Sequence, residues 1–222
     1  MKKRRYKSPI PPNAEEVIQT CYLSGEHETA HYSIDGELVG KRFWDEEGWT
    51  ELEWGFKNGL KHGNELRWCG KDRLLFVEPY RNGRPHGTTK QFGPDGEILI
   101  TYTMRNGVGL DLWCDDDGSL SEEAYWPACG EIGYTRRWNG DNKTVWQEYF
   151  YRLGDGWHGI TREWNAARRL RRGFPKYFVK DKQVRKRDYI KACESDPQLV
   201  PFREEDNLPN RPLPKEYLDQ RS

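Results

Sequence analysis

The sequence predicts an all-β protein, an elongated sheet of repeated antiparallel β-hairpins that carries a short C-terminal helix and an extended tail. Three observations predict it. A glycine phrase returns at steps of 23, 24, 22, 24 and 26 residues, an aromatic side chain follows each of those glycines by four or five positions, and a turn dipeptide falls every ten to fourteen residues. A fixed period of this length is the mark of stacked supersecondary units.

The glycine phrase is clearest in Lys61-His62-Gly63, Pro85-His86-Gly87 and Trp157-His158-Gly159, with degenerate copies ending at Gly40, Gly109 and Gly133. The aromatic landmarks are Trp44, Trp68, Phe92, Trp113, Trp138 and Trp164. Asn58-Gly59, Asn82-Gly83, Asn106-Gly107 and Asp155-Gly156 precede glycine phrases, and Glu47-Gly48, Asp95-Gly96, Asp117-Gly118 and Asn139-Gly140 lie mid-unit. Such dipeptides tolerate positive φ and predict type I′ hairpin turns. Between turns apolar residues alternate, as in Leu52, Trp54 and Phe56 or Ile98, Ile100, Tyr102 and Met104, which predicts one buried and one wet face. An ordinary β-sandwich or barrel is the competing architecture.

The phrase Tyr80-Arg-Asn-Gly83-Arg-Pro-His-Gly87, followed by Phe92 and Asp95-Gly96, resembles the MORN-variant repeats of bacterial proteins often labelled YwqK-family antitoxins. Phe56-Lys-Asn-Gly59-Leu-Lys-His-Gly63 and Met104-Arg-Asn-Gly107-Val-Gly109 extend the similarity over roughly residues 32–174. The resemblance implies a non-enzymatic interaction protein that neutralises a partner. Fold alone does not decide activity. Three units depart from the pattern: Val108 replaces the histidine, Pro127 and Cys129-Gly130 stand where Asn-Gly is expected, and the last unit runs into Arg168-Arg-Leu-Arg-Arg172.

Composition fits a thin folded protein. Leu, Ile, Val and Phe make up about 18% of the chain, near the level at which disorder becomes a serious reading, but aromatics reach 14% and the 36 basic and 36 acidic residues cancel. Five widely spaced cysteines without a Cys-x-x-Cys predict reduced thiols and a cytoplasmic protein. The basic start, Met1 to Lys7, runs into Pro-rich sequence instead of an apolar run, so export is not expected, and no stretch has the length of an apolar membrane span.

Three segments follow from these patterns: a basic, Pro-rich N-terminal segment over 1–20, the repeats over 21–178 in about six units, and a basic helix with a Pro-rich tail over 179–222. The first segment is expected to be poorly ordered apart from a helical turn at Ala14 to Gln19. Tyr189, Ile190 and Cys193 at helical spacing predict a helix over Lys186 to Glu194, ended by Ser195-Asp-Pro. The tail either packs along the sheet or is free.

No catalytic residue, metal ligand or cofactor is predicted. His62, His86 and His158 share one repeat position and read as structural parts of the hairpin link; His27 and His31 alternate with Ala30 and Tyr32 along a strand. Asp115-Asp-Asp-Gly118 lacks the spaced oxygens and closing Glu of a calcium loop and reads as a solvated turn. A hydrolase would be unheralded by any nucleophile or phosphate-loop motif.

Charge is the feature that points beyond architecture. Residues 168–191 hold eleven Lys or Arg against two Asp, whereas 87–135 hold two basic and nine acidic residues. Trp164, Arg168, Arg169, Arg171, Arg172 and Lys176 are the candidate binding residues, because guanidinium groups beside aromatic rings grip phosphate or an acidic protein surface. Two functions remain: a protein-interaction module, antitoxin- or immunity-like, and an adaptor that binds anionic membrane lipid or nucleic acid through 168–191.

Overall fold

The computed structural model describes residues 6–221; the basic run Met1 to Arg5 lies outside the described residues. Asn-Gly turns and β-rich intervals produce hairpins throughout, and the chain is all-β. It forms two compact units, Met1–Asn106 and Gly107–Ser222, with the boundary inside the run of repeats.

The first unit is one antiparallel sheet. Its strands are β1 (Glu15–Cys21), β2 (His27–Ile34), β3 (Glu37–Trp44), β4 (Thr50–Lys57), β5 (Leu60–Lys61), β6 (Gly63–Trp68), β7 (Leu74–Arg81), β8 (Arg84–Pro85), β9 (Gly87–Phe92) and β10 (Ile98–Met104). They pair in the order β1-β2-β3-β4-β6-β7-β9-β10, with β5 and β8 lengthening the hairpins. The expected helical turn at 14–19 is absent: Val17, Ile18 and Thr20 are β-branched and extend an edge strand against β2.

The second unit holds β11 (Gly109–Cys114), β12 (Leu120–Trp126), β13 (Ile132–Trp138), β14 (Val145–Arg152), β15 (Gly156–Trp157), β16 (Gly159–Glu163), β17 (Lys176–Val179) and β18 (Lys182–Val184). Helix α1 (Lys186–Ser195) follows, and a last turn, α2 (Lys215–Leu218), lies near the C-terminus. Asp196 is extended (φ −124°, ψ 95°) before Pro197, which stops α1 where the sequence predicts. Among the described residues no helix is long and apolar enough to cross a membrane.

Two turn classes alternate. Asn58-Gly59, Asn82-Gly83 and Asn106-Gly107 have positive φ at both central residues, as type I′ requires, and Asp35-Gly36 joins them. The mid-unit turns are not type I′. At Asp45 to Trp49, Gly93 to Glu97 and Asp115 to Ser119 the first residue accepts from the fourth and donates to the fifth, and only the fourth residue, a glycine, is left-handed. That is a type I turn followed by a left-handed residue, the usual longer hairpin loop.

The apolar alternation picks out buried residues in β10, where Ile100, Tyr102 and Met104 are buried, but not in β4, where Glu53 and Gly55 are the buried ones. Directly opposed residues across the first sheet run Ala30, Arg42, Glu53, Leu66, Val77, Lys90. The equivalent row of the second sheet runs Leu112, Glu123, Arg136, Glu148, Arg162. One slot of the repeat therefore holds either an apolar pair, Leu66–Val77, or an ion pair, Arg42–Glu53 at 2.6 Å and Arg136–Glu148 at 2.8 Å. Leu52, Trp54 and Phe56 lie half-buried on the opposite face, where the Lys61 ammonium sits over the Trp54 and Tyr80 rings, 4.2 and 4.0 Å from their centres.

Each core face is covered by a flanking segment of its own unit. In the first, Tyr6 meets Phe92 edge-on at 5.6 Å, and Ile10 packs with Ala30, Tyr32, Val39 and Trp44. Glycine at paired positions 40 and 55 makes room: a Cβ at Gly40 would lie 2.7 Å from Ile10, and one at Gly55 3.2 Å from Pro9. In the second, Tyr189 of α1 is fully buried against Ile160, Tyr177 and Leu199. The tail then packs along the sheet: the Val145 amide donates to Pro209 O (2.9 Å), the Trp164 indole to Asn207 O (2.7 Å) and the Tyr217 hydroxyl to Gly118 O (2.9 Å).

Arg211 from that tail completes the ion ladder, donating twice to the Glu148 carboxylate at 2.8 and 2.9 Å beside Arg136 and Arg162. Burial alone would push the Glu148 carboxyl up, but Arg211 and then Arg136 more than offset it and hold it down at about 2. Its contribution to stability is therefore full above its ordinary value of 4.5 and lost as pH falls from there through about 2. Glu148→Gln leaves three guanidinium groups around a neutral amide and is expected to cost about 3–5 kcal/mol in denaturant unfolding of the second unit at pH 7, while abolishing that acid-dependent loss.

Candidate interaction surfaces

Two of the three histidines before the repeat glycines, His86 and His158, are stitches, whereas His62 Nδ1 is buried without a hydrogen-bond partner. The Asn106 amide donates to His86 Nδ1 (3.2 Å) and the Lys180 amide to His158 Nδ1 (3.0 Å). In both, the donor is the first central residue of the next hairpin turn. With Nδ1 accepting, the His158 proton sits on Nε2, which donates to Asp196 at 3.2 Å. Burial, followed by the charge of Arg152, lowers the His158 pKa despite Asp196. A fully buried, neutral imidazole with both nitrogens engaged holds a corner together.

The same stitch exposes a hairpin the sequence conceals. Lys180-Asp181 has positive φ at both residues (48° and 64°) with no glycine, and joins β17 to β18 as Asn82-Gly83 joins β7 to β8. The Asp181 amide donates to Trp157 O just as the Gly83 amide donates to Lys61 O, each one residue before the histidine. Residues 176–184 are a further hairpin link of the same kind.

Of the sequence-predicted binding residues, Trp164 belongs to the core: it is 3% exposed, its indole held by Asn207 and its ring faced by Arg211. Lys176 lies over the Phe174 ring, 4.6 Å from its centre. Arg168 pairs with Asp141 (2.8 Å) and Arg171 with Glu163 (3.1 Å), so two of the four arginines are engaged by acids of the chain itself. Arg169 and Arg172 are exposed and make no ion pair among the described residues. Nor does the last unit lose its turn. Asn165 to Arg169 carries the hydrogen bonds of the other mid-unit loops, with Arg168 at φ 60° in the place of Gly48, Gly96 and Gly118.

A second surface went unread. On the face of the second sheet opposite the ion ladder, Trp126 meets Tyr151 edge-on at 6.0 Å, and Trp157 lies against Tyr149 at 6.4 Å and Phe178 at 4.6 Å. Trp126 and Trp157 remain 43% and 44% exposed, and Leu153 beside them 40%. The Tyr151 hydroxyl donates to Tyr125 O (3.0 Å), which fixes its ring over Gly133. Tryptophan count alone could not find this surface, because Trp126 and Trp138 differ in burial, not in type.

Among the described residues no three His, Cys, Asp or Glu side chains converge in a metal-binding group. No protein family, curated protein or solved structure matches the chain.

A left-handed arginine costs about 1 kcal/mol that glycine avoids, and an exposed ion pair returns up to about 1 kcal/mol. Arg168→Gly is thus expected to leave unfolding free energy within about 1 kcal/mol of the native value, whereas Arg168→Val, β-branched in the same slot, lowers it by more than that.

Proposed function

We propose that this chain is a non-enzymatic, cytoplasmic protein-interaction module of the MORN-variant type, acting by antitoxin- or immunity-like neutralisation of a protein partner. The observation that carries the reading is the aromatic face of the second sheet. Its opposite face is sealed by α1 and the tail, while Trp126, Trp157 and Leu153 keep about two fifths of their surface in water. Apolar surface held open on a well-buttressed sheet is how interaction sites differ from cores, and tryptophan and tyrosine dominate the energetics of such sites.

A second reading, binding of anionic lipid or nucleic acid through 168–191, is supported by Arg169, Arg172, Lys180, Lys182 and Lys191, which make no side-chain ion pair among the described residues.

The two separate in quantitative affinity capture with native, Trp126→Ser/Trp157→Ser and Lys180→Gln/Lys182→Gln/Lys191→Gln chains as bait. The interaction reading expects a protein retained by the native and lysine-variant baits and depleted at least about tenfold on the tryptophan variant. Equal retention on the tryptophan variant, or loss only on the lysine variant, contradicts it.

A further inference from the structure

We infer that the Asn165–Gly173 turn is the docking edge for an acidic segment of a protein partner, read by Arg169 and Arg172; this rests on the interaction reading above. Arg168 occupies a left-handed slot that glycine fills in sister units, and its bond to Asp141 ties this turn to the preceding one. Arg171 is held by Glu163. With both neighbours anchored, the turn is fixed in place, and Arg169 and Arg172 project from it exposed and without an ion pair among the described residues. Lys143, in the turn that carries Asp141, adds a third cation without a side-chain partner.

The pattern of charge selects the occupant. A nucleic-acid backbone or an anionic bilayer needs a continuous positive track or sheet. Here Asp141 and Glu163 interrupt the cations at each anchored arginine. A discontinuous set of carboxylates, spaced on a peptide, meets free guanidinium groups by bidentate pairing and avoids the two acids. Trp146, 38% exposed with Arg137 stacked over its ring at 5.4 Å, lies on β14, which supplies the strand next to this corner, and offers the apolar contact such a segment would use.

The test is fluorescence anisotropy of the full chain with a labelled oligoglutamate peptide, an oligothymidylate of equal charge and phosphatidylserine vesicles, at low and physiological salt. Arg169→Gln/Arg172→Gln is expected to weaken oligoglutamate binding at least about tenfold, and the control Lys182→Gln/Lys191→Gln less than about twofold. Oligothymidylate and vesicles should bind more weakly than the peptide. Equal losses in the two variants, or preference for oligothymidylate or vesicles, overturn the inference. If capture of a partner still depends on Trp126 and Trp157 while oligoglutamate ignores Arg169 and Arg172, this edge is not the dock and the interaction reading stands; if neither dependence is found, both fall.

Discussion

A single-layer sheet has two faces and buries neither by itself, so every other feature of this molecule follows from how one face of each sheet is closed. The chain closes them from its flanks. Residues 6–14 lie over the first sheet, on a floor of paired glycines at 40 and 55, and α1 with the tail lies over the second. With Leu, Ile, Val and Phe so scarce, the covering segments add apolar area that the strands alone do not supply.

The ion ladder is the other consequence of a thin core. In a repeat whose central slot is filled by Leu66 and Val77 in one unit and by Arg136 and Glu148 in another, charge substitutes for hydrocarbon only where its hydrogen bonds are complete. Glu148 meets that condition through three arginines, one of them from the tail. Glu123, two strands away from Glu148, meets it less well: burial pushes its carboxyl up against the opposing pull of Arg136 and Tyr134. Cover and ladder are thus coupled at Arg211, since the segment that excludes water also supplies the charge that makes exclusion tolerable.

Much of this was legible in the sequence and some was not, for physical reasons. Asn58-Gly59 and its sisters announce hairpins because few residues accept two consecutive positive φ values. Lys180-Asp181, Asn142 and Arg168 adopt the same conformations without glycine, enforced by neighbouring strands and stitches, and the repeat disappears from the sequence at those points. The burial of Glu53 and Glu148 has no local signal, because their partners are distant in sequence, as Arg211 is, 63 positions away from Glu148. For the candidate site, the arginine run was visible as composition, but which arginines are engaged depends on Asp141 in the preceding turn and Glu163 at the end of β16, and Trp164 is taken into the core by a tail whose packing the sequence left open.

The claim that the tail is an integral layer of the second unit is tested most directly by native-state hydrogen exchange at the seam. The Val145 amide donates to Pro209 O and the Arg211 amide to Lys143 O. If the tail closes the core, both amides exchange with the same opening free energy as the central strands β13 and β14 and respond to denaturant with the same slope. Exchange of the Val145 and Arg211 amides at rates near those of exposed loops, while β13 and β14 stay protected, would contradict the account.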